Sequence, residues 1–471
     1  MRSSFVACSL ALVIGCGSGS AGAPDATATI DAAPAVDASN DIVEFLSGVP
    51  GLSFTEGASE YPGYRLFLID YAQPLDHAQP NGRTFSQRLR LHHLDAAAPM
   101  ILYTSGYWMF GDDYLSELGR LLGGNQISTE QRFFGASIPS GVSAADWAYV
   151  TIAQAAADHH RVVQALAPFY GAAWVSTGHS KGGMTSIYHR RFYPDDVDAT
   201  VAYVAPISFG APDPRYDGFF DAVASSTCRD ALRAIQINAL ERFPAMLSRA
   251  QLEAQQAGMT FVRSGGQEAA FEGDLAGMRW SFWQYAGAGY CGEIPPTNAS
   301  DDVVFDFVQA YAGIGIDDAS IGAFEPYYYQ ALYQLGFPGP PESHLDNLRQ
   351  YADVGGDYLP RGVAVTYDPA PMLDIAAWVD TAGSELMFVY GQYDPWFAGA
   401  FDPGGAADSH FYVVDGANHG ALISMLPGTA RADAFDVLER WTGVAPQPLW
   451  ASGVRPPPVP RVRLPLAARS H

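Results

Sequence analysis

Short apolar runs that end in glycine or a polar turn recur along this chain, separated by stretches with helical spacing. "YRLFLID" (Tyr64–Asp70) and "TFSQRLRLHHL" (Thr84–Leu94) predict two strands joined by the turn-rich "QPLDHAQPNGR". "MILYTSG" (Met100–Gly106) is apolar throughout and stops at a glycine, as a strand buried on both faces does. Ala144–Leu166 carries a helical pattern with few breakers. "AWVSTG" then predicts a strand, "STGHSKGG" (Ser176–Gly183) a turn, "KGGMTSIYHRRFY" a helix stopped by Pro194, and "DATVAYVAPIS" another strand. This alternation predicts an α/β fold with a mostly parallel, doubly wound sheet.

The texture changes between Phe209 and Pro371, where Ala231–Gln256 and Asp274–Tyr285 are helical, aromatic-rich and joined by Gly/Pro turns. A helical cap over 209–371 is expected, inserted into a catalytic domain formed by 42–208 and 372–442. "ELMFVYG" (Glu385–Gly391) and "HFYVVDG" (His410–Gly416) return to buried-strand texture, and Ala430–Trp441 predicts a closing helix. The Pro/Arg-rich tail over 443–471 holds no acid and is expected to be irregular surface chain.

The 16-residue start "MRSSFVACSLALVIGC" has a basic residue, an apolar stretch too short to span a bilayer, and a cysteine after a small residue. It predicts a lipoprotein-type signal over 1–16 with lipidation at Cys16, the alternative being cleavage near "AGA" and free secretion. Residues 17–41 are Ala, Asp, Ser, Gly and Pro with little to bury, so a disordered tether is expected. Export leaves Cys228 and Cys291 in an oxidising compartment, which predicts a disulfide between them. A net charge of -24 excludes nucleic acid and an anionic bilayer surface as partners, leaving a lipid on Cys16 as the membrane contact. Without Cys/His spacing of the zinc type, neither a metal nor a cofactor is expected.

Gly178-His179-Ser180-Lys181-Gly182 matches G-x-S-x-G between a strand and a helix. A tight turn there strains the serine backbone, and glycines two residues away on either side avoid clashes. Such a nucleophile needs an acid and then a histidine. Asp394 falls three residues past Gly391, and His419 three past Gly416, each in a loop after a buried strand. Open α/β sheets build their sites at those strand ends. Ser180, Asp394 and His419 are therefore the candidate triad, with His419 as proton carrier and Asp394 as its orienter. The oxyanion donors are expected to be the backbone N–H groups of Lys181 and Tyr107, the latter just past Gly106.

With these motifs together, the chain resembles the secreted bacterial PS-10 peptidases, serine peptidase family 37. It is more distantly similar to the prolyl carboxypeptidase and dipeptidyl peptidase II family. The resemblance is carried by Gln73–Arg88, "LYTSGYW" (Leu102–Trp108), "EQRFFGASIP" (Glu130–Pro139), "GHSKGGMT" (Gly178–Thr185), "FWQYAG" (Phe282–Gly287) and the two late loops. It implies an α/β-hydrolase fold whose helical cap precedes the strand carrying the catalytic Asp. It also implies release of tripeptides from polypeptides with a free N-terminus. Such an enzyme needs an acid for the substrate ammonium, and Glu130 is the candidate, with pairing to Arg132 or another arginine as the competing reading. Trp283 and Tyr285 are candidate walls of the acyl-side pocket, with core packing as the competing reading.

Two other readings fit the same residues: a carboxylester hydrolase using this triad, and an inactive surface-binding lipoprotein that keeps the fold. The intact triad disfavours the latter, and the shared segments outside it favour the peptidase. Lys181 is the single lysine among 26 basic residues. A serine–lysine dyad is disfavoured because consecutive side chains diverge at such a turn. Because an ammonium opposes the positive helix N-terminus, its side chain is expected to lean away toward an acidic neighbour.

Overall fold

The computed structural model describes residues 41–448, apart from 110, 340–342, 352–353 and 355. The expected signal, Cys16 and the tether up to residue 40 lie outside the described residues, as does the tail beyond 448. Nine strands form one sheet: β1 (Leu52–Gly57), β2 (Arg65–Pro74), β3 (Thr84–His93), β4 (Met100–Thr104), β5 (Asn125–Thr129), β6 (Trp174–His179), β7 (Ala199–Tyr203), β8 (Leu386–Gly391) and β9 (His410–Val414). Their spatial order is β1-β2-β3-β5-β4-β6-β7-β8-β9. β1 to β3 are antiparallel neighbours, β3 meets β5 antiparallel, and every pairing from β5 through β9 is parallel. This is the α/β-hydrolase arrangement, with β4, β7 and β8 fully buried as their largely apolar runs require.

The helices are α1 (Ile42–Gly48), α2 (Glu117–Leu122), α3 (Ile152–Leu166), α4 (Lys181–Phe192), α5 (Phe219–Ala222), α6 (Ser226–Glu241), α7 (Phe243–Ala257), α8 (Gln267–Ala276), α9 (Met278–Tyr285), α10 (Asp301–Tyr311), α11 (Asp318–Gln330), α12 (Ala370–Ala382) and α13 (Gly428–Thr442). Three expected helices are shorter than their patterns. Ala144–Leu166 divides into a 3₁₀ turn and α3, because the Thr151 hydroxyl accepts from Gln154 N and caps a new start. Ala231–Gln256 breaks at Arg242, where Pro244 opens α7. Asp274–Tyr285 breaks at Gly277.

α5 to α11 all lie between β7 and β8 in the chain. α5 to α10 share an aromatic core including Phe271, Phe282 and Trp283, which takes in Tyr216 and reaches Trp396 in the loop after β8, whereas Ile321, Phe324 and Tyr328 of α11 pack with Tyr107 and Phe134. Cys228 on α6 is joined to Cys291 by a disulfide, tying α6 to the turn after α9. No described helix is long and apolar enough to cross a membrane.

Candidate active site

β6 delivers Ser180 onto a turn with φ 55° and ψ −124°, a conformation that a serine holds only when its surroundings enforce it. The enforcing contacts are visible. Ser180 N donates to Tyr203 O (2.9 Å), and Met184 N donates to Ser180 O (2.9 Å). A Cβ at Gly178 would stand 2.4 Å from the Gly182 carbonyl carbon, and one at Gly182 would stand 2.3 Å from Thr104 O. Both glycines are thus needed for β4, β6 and α4 to meet at the serine.

Asp394 and His419 come from the loops after β8 and β9 and are both buried. His419 Nδ1 lies 2.6 Å from Asp394 Oδ2, and Trp396 N donates to Asp394 Oδ1 (3.0 Å). With the proton on Nδ1, the imidazole presents a lone pair at Nε2, which is buried and has no partner among the described residues. Ser180 Oγ makes no hydrogen bond to it. Tyr393 N donates to Ala417 O (2.8 Å), pinning the two loops together. His419 N donates to Gln284 O (3.2 Å), so the end of α9 supports the histidine through its backbone. That contact explains why "FWQYAG" belongs to the site, although its side chains alone do not reveal it.

The Lys181 and Tyr107 N–H groups have no protein acceptor among the described residues, leaving both free to donate. The Lys181 side chain does not lean toward an acid as expected. It turns inward, where Nζ donates to Gly106 O (2.5 Å) and sits 5.2 Å from the ring centroids of Tyr107 and Phe134. Burial lowers its ammonium from 10.5 to about 7. His179 stacks on Tyr203 at 4.5 Å, and burial, with a smaller contribution from His419, lowers it to about 3. His159 is buried against Thr129 Oγ1, and His160 stacks on Tyr193, so both serve packing.

Glu130 does not suit an ammonium-holding role. It is fully buried, and its carboxylate accepts from Met109 N, Ala136 N, Ser137 N and Ser137 Oγ at 2.8–3.1 Å. Arg88 approaches it at 3.7 Å, while Arg132 pairs instead with the buried Asp158 at 2.6 Å. Glu130 therefore holds the segment after β4 against the 133–137 loop. Trp283 is buried among cap aromatics and 6.0 Å from the Tyr393 ring, which is core packing rather than a pocket wall. Tyr285 is half-buried, and its hydroxyl accepts from Gln284 Nε2 (3.0 Å). The shared Gln73–Arg88 segment builds a polar layer behind the site. Gln73 Nε2 donates to Gln87 Oε1, and Gln87 Nε2 donates to Glu130 O. Among the described residues no cluster of His, Cys, Asp and Glu could hold a metal.

The family model of the PS-10 peptidase S37 group matches residues 35–463. A prolyl tri/tetrapeptidyl aminopeptidase from Streptomyces mobaraensis is 40% identical over 454 residues, covering 95% of this chain and 92% of the relative. Among solved structures, proline iminopeptidase from Mycobacterium smegmatis is 16% identical, with 79% of this chain and 98% of that chain covered and a TM-score of 0.37. DcsB in complex with its substrate analogue is 15% identical, with 83% and 99% covered and a TM-score of 0.37.

Proposed function

We propose that this chain, which belongs to the PS-10 peptidase S37 family and is a serine peptidase, removes tri- or tetrapeptides from the free N-termini of peptides. The observation carrying this reading is 40% identity to a prolyl tri/tetrapeptidyl aminopeptidase across almost the whole chain. The relative's name also supports proline as the residue whose carbonyl is attacked.

In this reading Ser180 Oγ attacks that carbonyl carbon while His419 Nε2 takes the hydroxyl proton. Asp394 keeps the other imidazole proton on Nδ1 and stabilises the cation. The tetrahedral oxyanion receives the Lys181 and Tyr107 N–H donors, each worth about 3–4 kcal/mol to the barrier. Collapse breaks the C–N bond, and His419 passes its proton to the departing amine. A water then gives a proton to His419 and attacks the acyl carbon. The C–Oγ bond breaks, and the proton returns to Ser180.

The test compares four substrates: a free tripeptide anilide ending in proline, its phenylalanine counterpart, the N-acetylated proline form, and a short acyl ester. Fast turnover of the first, at least about tenfold over the acetylated form and abolished by Ser180→Ala, is expected. Equal rates with a blocked amine, or preference for the ester, would favour an esterase. The proposal includes export and a lipid on Cys16 that anchors the enzyme to the cell envelope. Cys16→Ala should release it from membranes, and unchanged membrane partition would refute the anchor.

A further inference from the structure

The one lysine of the chain lies beside the nucleophile, yet the acyl-transfer chemistry uses only its backbone. Its side chain is 3% exposed, and among the described residues it has no ion-pair partner. What Nζ does contact is the carbonyl of Gly106, at 2.5 Å. Gly106 has φ +73°, and a Cβ there would stand 2.5 Å from Gly182 N, so the end of β4 is pressed against the first turn of α4.

The peptide between Gly106 and Tyr107 is not among the cis bonds, and in a trans peptide the C=O and N–H point in opposite directions. Fixing the Gly106 oxygen on one side therefore fixes where the Tyr107 N–H points on the other. The next carbonyl is held as well, since Tyr107 O accepts from Ser105 Oγ (2.7 Å) and Gln131 N (2.8 Å). The carbonyls on both sides of the Tyr107 N–H are tied down, and that N–H is left free.

We propose that the Lys181 side chain is a positioning residue for the oxyanion hole, clamping the Gly106 carbonyl so that the Tyr107 N–H is aimed at the developing negative charge. One residue then serves both donors: its own N–H directly and that of Tyr107 through its side chain. The faces of Tyr107 and Phe134 hold the ammonium in line, as aromatic faces do for cations. The inference rests on the Ser180 acyl-enzyme reading above.

Lys181→Met and Lys181→Gln test it, with Ser180→Ala alongside. A lost oxyanion donor costs about 10²–10³ in kcat, so a misaimed one is expected to cost about 10–100-fold in Lys181→Met. KM should stay within about threefold of the wild type. Gln keeps a donor near the carbonyl and should recover part of the loss; it also keeps the test open if the Met variant does not fold. A tripeptide aldehyde, which forms a tetrahedral adduct on the serine, should bind Lys181→Met more weakly by the same factor as kcat falls. Binding of the product tripeptide should be unchanged. A folded Lys181→Met with wild-type kcat overturns the clamp. So does a loss as complete as that of Ser180→Ala in both lysine variants, which would make the lysine the base. Full activity in Ser180→Ala would instead overturn the underlying acyl-enzyme reading.

Discussion

Burying a lysine without an acid beside it costs the folded state free energy, and the cost has a pH signature. The ammonium titrates near 7 in the folded chain against 10.5 when exposed. That difference corresponds to roughly 5 kcal/mol disfavouring the folded state while the group is charged. Below pH 7 both states carry the proton, and the full penalty applies. Between pH 7 and 10.5 the unfolded chain binds the proton and the folded chain does not, so stability rises with pH by about 1.4 kcal/mol per unit. Lys181→Met removes the charge but leaves the Gly106 carbonyl without its donor, a loss of about 1–3 kcal/mol. The variant should therefore be more stable than the wild type by about 2–4 kcal/mol at pH 6, with the gap nearly closed by pH 9. The titratable groups facing this side chain do not interfere over that range. His159 is lowered to about 3 by burial first, and burial holds the Tyr107 hydroxyl well above its usual value. Urea unfolding of both proteins at pH 6, 7.5 and 9 measures the gap. A gap that does not change with pH would refute the reasoning, as would a variant less stable at pH 6. A variant that is both more stable and slower would mark Lys181 as kept for activity rather than for the fold.

Glu130→Gln should destabilise the fold by about 2–4 kcal/mol, because a buried carboxylate with four donors loses its charge. Its KM for a free tripeptide anilide should stay within about threefold, and a rise of about 100-fold would restore the ammonium-holding role. The disulfide closes a loop of sequence separation 63, so Cys228→Ser with Cys291→Ser should cost about 4 kcal/mol by denaturant unfolding. Stability unchanged by the double substitution would contradict this. Gly182→Ala drives a methyl into Thr104 O and should lower kcat about 100-fold by displacing the elbow, whereas near-normal kcat would show that the turn tolerates a side chain.

β4, β7 and β8 were legible because burial on both faces demands largely apolar runs, and the loop bearing Asp394 follows β8; β9, half-exposed at the sheet edge, still carries the apolar run that precedes the His419 loop. β5 was not legible. "NQIST" is polar, yet every residue in it is buried. Asn125 accepts from the Leu94 and Asp95 N–H groups, Gln126 donates to Tyr114 O, and Thr129 contacts His159. Those partners are distant in sequence, so no local pattern announces the strand. The same limit applies to Lys181. Helix-dipole reasoning sends its ammonium outward, but the carbonyl of Gly106 and the rings of Tyr107 and Phe134 hold it inside. Glu130 misled for a related reason. Its place in the shared "EQRFFGASIP" segment suggested a site residue, whereas the loop that folds back over it takes up its oxygens.

The most direct test of the account traps the covalent intermediate. A slowly deacylated peptide substrate with a free N-terminus is mixed with the enzyme, quenched in acid and analysed by intact and peptide-level mass spectrometry. The account predicts an added mass equal to the first three or four residues, located on Ser180, and absent with the acetylated substrate or in Ser180→Ala. An acyl group on another residue, or turnover with no acyl-enzyme through a mutated Ser180, would contradict it.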